Sequence, residues 1–134
     1  MVGIVIVTHG GIAREMLAAT KSIVGQVEQM EAVSSDADET GDVRERIRTA
    51  IEAAEKGDGV LIVTDMFGGT PANVALSFLN EKRIEVVTGA NLPMVVKLAT
   101  GRESRSLADL ATFIREYGQK NISVASSLLQ EPKR

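Results

Sequence analysis

Two short runs of apolar, largely β-branched residues constrain the fold of this chain more than any other feature. Residues 4–8 lead directly to His9, the only histidine, and residues 60–64 lead to Asp65. Runs this short and continuous are typical of strands that are buried on both faces of a parallel sheet. If the two strands are neighbours, their carboxyl ends place an imidazole and a carboxylate at the same edge of the sheet.

Strand-like and helical patterns alternate along the rest of the sequence. Strands are predicted from β-branched runs at residues 2–8, 29–33, 59–64 and 84–88, the second of them weak and suited to an edge. Helices with one apolar face are predicted at residues 12–23, 42–56, 70–79, 93–99 and 106–118. This alternation predicts an α/β fold with a doubly wound, mainly parallel central sheet flanked by helices.

Local residues predict where several helices begin and end. Thr70 is expected to cap the third helix with Pro71 at its first position, and Ser106 is expected to start the last helix, which closes at Gly118. The segment 121–127 is weakly β-like, and the tail from residue 130 is expected to fray. Residues 34–41 have the polar, acidic composition of a loop.

Composition narrows the function classes. A length of 134 residues fits a single domain, 1–134, and the absence of cysteine excludes disulfides and thiolate chemistry. With one histidine we expect no metal and no cofactor. The net charge of −3, from interspersed acidic and basic residues, gives no electrostatic footprint for nucleic acid. The N-terminal apolar run lacks a basic flank and is too short to span a membrane, so a cytoplasmic protein is expected.

The residues around the two strand ends suggest an anion site. Gly10 and Gly11 follow His9, and a second glycine-rich turn at residues 68–71 follows Asp65. Glycines leave backbone N–H groups accessible near helix N-termini, where a phosphate is favoured. An imidazole in such a site can accept a phosphoryl group, and a carboxylate bound to one ring nitrogen leaves the other as the nucleophile.

Each of these residues also has an ordinary structural explanation. A histidine that closes a strand can simply hydrogen-bond within its loop, and Asp65 can cap a helix. Residues 68–71 can form a plain turn and helix cap. Thr8 and Thr64 can line the pocket or merely end their strands. The charged clusters at 36–39 and 44–48 are interpreted as solvated charge without a role.

Three motifs, taken together, resemble a known family. They are Val5-Ile6-Val7-Thr8-His9-Gly10, Thr64-Asp65-Met66-Phe67-Gly68-Gly69-Thr70-Pro71-Ala72-Asn73 and Thr88-Gly89-Ala90-Asn91-Leu92-Pro93-Met94. In order and spacing they are similar to the EIIA component of the mannose family of the bacterial phosphoenolpyruvate-dependent sugar phosphotransferase system (PTS). The resemblance covers nearly the whole chain.

The resemblance implies a phosphocarrier. His9 would accept a phosphoryl group from HPr and pass it to an EIIB component, which phosphorylates sugar during uptake by the EIIC/EIID permease. Asp65 would orient and stabilise His9. The family pattern also implies a homodimer with a C-terminal strand exchanged or packed antiparallel against the sheet, for which residues 121–127 are the candidate.

The same pattern implies the surroundings of the phosphate. The residues expected to bind it are Gly68, Gly69 and Thr70, with Gly10 beside them. The residues expected to border the site are Thr8, Thr64, Phe67, Gly89, Asn91 and Pro93. HPr and EIIB would dock in turn on a mostly apolar surface, for which the candidate contacts are Ile12, Met66, Phe67 and Leu92.

Two classes of phosphorylated or phosphate-binding protein share single features of this sequence. A histidine phosphatase needs an arginine beside the nucleophile and a second histidine, and a receiver domain needs an acidic cluster after the first strand. This sequence has one histidine with no arginine beside it, and Thr8 and His9 stand where a receiver domain would have its acidic cluster. A regulatory or orphan phosphocarrier, or a phosphodonor for dihydroxyacetone kinase, stays open, although residues 67–71 favour the sugar-transport type. EIIB is expected to be a separate protein.

Overall fold

A four-stranded parallel sheet flanked by helices forms the centre of the protein, which a computed structural model describes at residues 1–36 and 42–130. The strands are β1 (Gly3–Thr8), β2 (Met30–Ser34), β3 (Val60–Thr64) and β4 (Ile84–Thr88). The helices are α1 (Ile12–Val24), α2 (Val43–Ala54), α3 (Gly69–Leu76), α4 (Leu92–Thr100), α5 (Leu107–Lys120) and α6 (Ala125–Gln130). The predicted α/β fold is confirmed. The predicted loop at 34–41 lies outside the described residues from position 37, as does the tail from 131.

The strand order places β1 and β3 side by side. The sheet runs β2-β1-β3-β4, with all pairs parallel and Val7 in register with Thr64. The order of strands along the chain therefore reverses between β1 and β3. In doubly wound sheets a ligand site forms outside the carboxyl ends of the strands at this point.

Alternate residues of the central strands feed two separate cores. Ile4 and Ile6 of β1 face the cluster packed under α1, α4 and α5, whereas Val5 and Val7 face the cluster under α2 and α3. Every residue of β1 and β3 is buried. Burial on both faces explains why these strands read as continuous apolar runs and not as alternating ones.

Arg102 binds the amino edge of the sheet, opposite to the carboxyl ends. Its side chain is only 1% exposed, and its guanidinium donates hydrogen bonds to the carbonyl oxygens of Val2, at 2.7 Å, Glu28 and Gln29. These carbonyls lie at the starts of β1 and β2. The arginine therefore supplies hydrogen-bond donors to backbone carbonyls at this end of the sheet, of which the one of Val2 is buried.

Several predicted helix ends differ from the structure: α2 ends at Ala54 and not at 56, and α3 ends at Leu76 and not at 79. The third helix begins at Gly69 with Gly68 as its N-cap, so the prediction that Thr70 caps it is wrong. The reason is the backbone. Gly68 and Gly69 have φ values of +94° and +82°, and these left-handed conformations let the chain enter the helix before Thr70. Gly118 does not close α5, which continues to Lys120. This glycine instead lies inside the helix where Met94 packs against it, because a Cβ there would lie 2.4 Å from the Sδ of Met94.

The C-terminal segment also differs from its prediction. Residues 121–124 pair with no strand in the described part of the chain, and Ala125–Gln130 is helical, so the predicted strand is wrong for the single chain. Its alternating apolar residues Ile122 and Val124 are exposed. Exchange of this segment with a second chain stays a prediction.

Within the described residues, no helix combines the length and apolar character that crossing a membrane requires.

Candidate functional site

His9 and Asp65 are in direct contact at the carboxyl edge of the sheet. The ring Nδ1 of His9 lies 2.9 Å from Oδ2 of Asp65, and the backbone N–H of His9 donates to the same oxygen at 3.2 Å. The His9 side chain is 47% exposed and that of Asp65 is 13% exposed. Because Nδ1 is engaged, Nε2 is the ring nitrogen left for a reaction.

The protein holds the Asp65 carboxyl in its charged form. Burial is the strongest single influence and raises the pKa of Asp65, but the hydrogen bonds from the ring and backbone of His9 act together in the opposite direction. The net result is a pKa below the usual value for aspartate. An ionised carboxylate at Nδ1 favours the tautomer whose hydrogen is on that nitrogen and leaves a lone pair on Nε2.

The imidazole packs on the backbone of Gly69. A Cβ at this position would lie 3.0 Å from both Cε1 and Nε2 of His9. Gly69 is also the first residue of α3, so Nε2 lies beside the N-terminus of that helix. The accessible N–H groups and the positive end of the helix dipole there favour an anion at the nucleophilic nitrogen.

Thr8 and Thr64 shape the loops and do not line an open pocket. Both are fully buried. The Thr8 hydroxyl donates to the carbonyl oxygen of His9 at 3.1 Å and accepts from the N–H of Ala13 in the first turn of α1 at 2.7 Å. The Thr64 hydroxyl donates to the carbonyl oxygen of Met66 at 3.3 Å. Each threonine therefore fixes the loop that follows its strand.

The N–H of Gly10 binds a side chain that no local sequence motif indicates. This N–H, predicted to bind phosphate, instead donates to Oδ1 of Asp36 at 3.2 Å. The prediction that Asp36 is solvated charge without a role is therefore wrong. The available signal was its position two residues after β2, because the carboxyl ends of all parallel strands meet at one edge.

The loop after β4 is anchored to the end of β3. The N–H groups of Gly89 and Ala90 both donate to the carbonyl oxygen of Thr64, at 3.0 and 2.9 Å. Asn91 caps α4 by accepting from the N–H of Met94 at 3.1 Å, and Pro93 lies in the first turn of that helix. These contacts define the shape of the loop; direct contact of Gly89, Asn91 or Pro93 with a phosphate stays a prediction.

Residues 3–115 match the model of the EIIA-man family, described as PTS system fructose IIA component. The chain belongs to this family. The PTS system fructose-specific EIIA component of Bacillus subtilis (strain 168) is 29% identical to it over 135 residues, which cover 99% of this chain and 92% of that protein. The PTS system mannose-specific EIIAB component of Escherichia coli (strain K12) is 27% identical over 124 residues, 90% of this chain and 38% of that protein.

A solved EIIA structure shares the fold. The crystal structure of phosphotransferase system component EIIA from Streptococcus agalactiae matches with a TM-score of 0.84 and 26% identity, covering 95% of this chain and 99% of that one. The resemblance inferred from the three sequence motifs is therefore confirmed. EIIA components are phosphotransferases of the sugar-transport system, and the family implies partnership with HPr and EIIB components. The comparisons do not favour a phosphodonor for dihydroxyacetone kinase.

The surface of this EIIA-man protein near His9 is apolar. Phe67, which is 74% exposed, and Met66 project from the loop between Asp65 and α3, and Ile12 is exposed at the start of α1. A shallow groove between α1 and α4 adds Met16 and Leu92. Large exposed apolar side chains beside a reactive group are typical of a surface that binds another protein.

Among the described residues, no group of three or more His, Cys, Asp or Glu is placed to hold a metal ion.

Proposed function

We propose that this EIIA-man protein is a phosphocarrier in which His9 accepts a phosphoryl group from phospho-HPr and passes it to an EIIB component for sugar uptake and phosphorylation. The contact between His9 and Asp65 carries this proposal. It occupies Nδ1, favours the ionised form of the Asp65 carboxyl and leaves Nε2 beside the N-terminus of α3. Both phosphoryl transfers are proposed to take place in the cytoplasm. This protein would act on the permease only through EIIB.

The proposed transfer needs no net proton movement at His9. The lone pair of Nε2 attacks the phosphorus as the P–N bond to the HPr imidazole breaks, and that imidazole leaves with the bonding electron pair. The hydrogen on Nδ1 stays in its hydrogen bond to Asp65, whose negative charge stabilises the ring as it becomes positive. The second transfer repeats the step in the opposite sense, with a nucleophile of EIIB attacking the phosphorus.

The glycine-rich loop is proposed to hold the phosphoryl oxygens. In a loose transition state the charge spreads over these oxygens, so positioning and aligned amide dipoles provide most of the stabilisation. Gly68 and Gly69 bring backbone N–H groups to the start of α3, close to Nε2. Thr70 is exposed in the first turn of α3 and does not cap it, which leaves its hydroxyl in a suitable place to bind phosphate.

We propose that HPr and EIIB dock in turn on the apolar surface formed by Ile12, Met66, Phe67 and Leu92. The exposed side chains of Met66 and Phe67 directly follow Asp65, so a protein that covers them also covers the imidazole. Covering the site excludes water, which would otherwise compete as the phosphoryl acceptor.

We further propose that the protein forms a homodimer through β4 and the C-terminal segment. β4 is an edge strand whose residues are all only half-buried, and the apolar side chains of Ile122, Val124, Leu128 and Leu129 are exposed. An unpaired strand edge next to an exposed apolar segment favours association with a second copy. Sedimentation equilibrium of the full chain is expected to give a dimer that Val124→Asp weakens; a monomer at all concentrations would refute this proposal.

A labelling experiment tests the function. The protein is incubated with labelled phosphoenolpyruvate, Enzyme I and HPr, and His9→Gln is compared with the wild type. We expect one phosphoryl group per chain in the wild type and none in the variant; label at wild-type stoichiometry in His9→Gln would refute the acceptor assignment. Phosphohistidine is lost in acid and survives in base, so base-labile label would indicate an acyl phosphate instead. Adding candidate EIIB proteins then identifies the recipient.

A further inference from the structure

Two carboxylates bind successive N–H groups at the end of β1. Asp65 follows β3 and accepts from the N–H of His9, and Asp36 follows β2 and accepts from the N–H of Gly10 at 3.2 Å. Because β1 lies between β2 and β3, the two acidic residues approach the loop from opposite sides. The chain turns sharply between them, and Gly10 has a φ of +50°.

The peptide group that joins His9 to Gly10 is fixed at both of its polar atoms. Its carbonyl oxygen accepts from the hydroxyl of Thr8 at 3.1 Å, and its N–H donates to Asp36. A peptide plane held in this way cannot rotate without losing a hydrogen bond. Its orientation sets the ψ angle of His9, and the backbone angles decide which χ1 rotamers the imidazole can adopt.

Asp36 is exposed, but neighbouring groups hold it in position. Its N–H donates to the hydroxyl of Ser34 at 3.1 Å, and its carbonyl oxygen accepts from Nη2 of Arg46 at 3.1 Å. Arg46, on α2, also donates from Nη1 to the carbonyl oxygen of Ser34. The N–H of Ser35 donates to the carbonyl oxygen of Thr8 at 2.9 Å. The carboxylate therefore acts from a backbone that is itself tied to β1 and α2.

We propose that Asp36 is a positioning residue for phosphoryl transfer: by accepting the Gly10 N–H it fixes the His9–Gly10 peptide and keeps the His9 ring directed at Asp65. This inference rests on the proposed role of His9 as phosphoryl acceptor. Asp36 acts through Gly10, and the hydrogen bond carries the effect because the charge of an exposed carboxylate is screened by salt. An asparagine at position 36 keeps an acceptor oxygen, whereas an alanine does not.

Three variants test the proposal by the rate of transfer from phospho-HPr. Asp36→Ala is expected to lower kcat about tenfold with little change in KM, because a misdirected nucleophile reacts slowly while docking is unaffected. Asp36→Asn is expected to stay within about threefold of the wild type. Glu52→Ala is the matched control: it removes an exposed carboxylate from the far end of α2, where Ala54 contacts the start of β1, and should leave the rate unchanged.

Nuclear magnetic resonance gives a second readout that does not depend on transfer. His9 is the only histidine, so the ring ¹⁵N signals need no assignment. The wild type and Asp36→Asn should show the hydrogen mainly on Nδ1, and Asp36→Ala should show a mixture of tautomers in a protein with an otherwise native amide spectrum. A merely structural role for Asp36 would not move these signals.

Each outcome bears on a stated claim. Wild-type rates and ring signals in Asp36→Ala would overturn the inference while the phosphocarrier proposal stands. An Asp36→Asn variant as slow as Asp36→Ala would overturn the hydrogen bond as the cause. If the wild type accepts no phosphoryl group, the proposed function fails, and the ring signals alone then decide the inference: an unchanged tautomer in Asp36→Ala would overturn it.

Discussion

One carboxylate oxygen of Asp65 accepts two hydrogen bonds from His9, one from the ring and one from the backbone. The distances are 2.9 Å to Nδ1 and 3.2 Å to the N–H. The shared oxygen couples the orientation of the imidazole to the backbone at the end of β1. A rotation of the ring away from this oxygen would break a contact in which the carboxylate is already desolvated, and such a contact is costly to lose.

Replacing Asp65 should therefore impair transfer more than folding. Asp65→Asn is expected to slow phosphorylation of His9 by roughly 10²- to 10⁴-fold, because a neutral amide neither fixes the tautomer nor stabilises the positive ring. Single-turnover transfer from phospho-HPr measures the loss. Asp58→Asn is the control, since Asp58 lies at the opposite edge, where it pairs with the N-terminal amine of Met1. Equal rates in the two variants would reduce Asp65 to a structural residue.

Asp65 should also make stability depend on pH in acid. Its pKa in the folded protein lies below the unfolded value of 3.8, so its contribution is fully present above that value and is lost as pH falls through the lower folded pKa. The difference in unfolding free energy between the wild type and Asp65→Asn should therefore shrink on going from about pH 5 to about pH 3. Urea unfolding at the two pH values measures it. A difference that grows in acid would contradict the assignment of a depressed pKa.

Gly69 and Gly68 form a matched pair for testing the contact with the imidazole. Both have positive φ, so alanine at either position should destabilise the protein by about 1–2 kcal/mol. Only at Gly69 would the new Cβ meet Cε1 and Nε2 of His9, whereas at Gly68 nothing lies within 4 Å. We expect Gly69→Ala to lower the transfer rate at least about tenfold more than Gly68→Ala in single-turnover assays. Similar rates would show that the ring moves aside without loss of function.

Arg102 should matter for stability and not for transfer. Arg102→Met keeps an apolar stem but removes the guanidinium hydrogen bonds to the carbonyl oxygens of Val2, Glu28 and Gln29, and is expected to cost about 2–4 kcal/mol. Arg105→Met serves as control: this exposed arginine donates to the carbonyl oxygen of Gly101 and lies over the ring of Phe113, so we expect a loss below about 1 kcal/mol. Urea unfolding compares the two. Transfer per folded molecule should be unchanged in both variants, and a slower rate in Arg102→Met would contradict the independence of the two edges.

Features that depend on local sequence were predicted well. The β-branched run at residues 84–88 predicted β4 with its observed bounds, and Ser106 was correctly predicted to begin the helix that is α5. The contact between His9 and Asp65 was also predictable, because the ends of buried parallel strands are visible as breaks in apolar runs. Each of these signals lies within a few residues of the feature that it predicts.

Features that depend on distant partners were missed. The packing of Gly118 is determined by Met94, and the role of Asp36 by the register of β2 on β1, neither of which a local pattern contains. Segment 121–127 alternates like a strand at Ile122 and Val124, but in the single chain these residues pair with no strand and Ala125–Gln130 is helical. Whether such a segment forms a strand depends on a pairing partner, which a local pattern does not contain. Thr70 failed as a cap because the preceding glycines enter the helix through positive φ.

The position of β1 has a kinetic consequence. This strand is hydrogen-bonded on both sides and buried on both faces, so the nucleophile at its end has almost no freedom to travel. In the proposed cycle the phosphoryl group therefore cannot be carried from donor to recipient by a swinging arm of this protein. The donor must leave the site before the recipient arrives, so throughput should be set by how fast one partner dissociates and the next associates. Selection on such a protein would act on short residence times more than on tight binding.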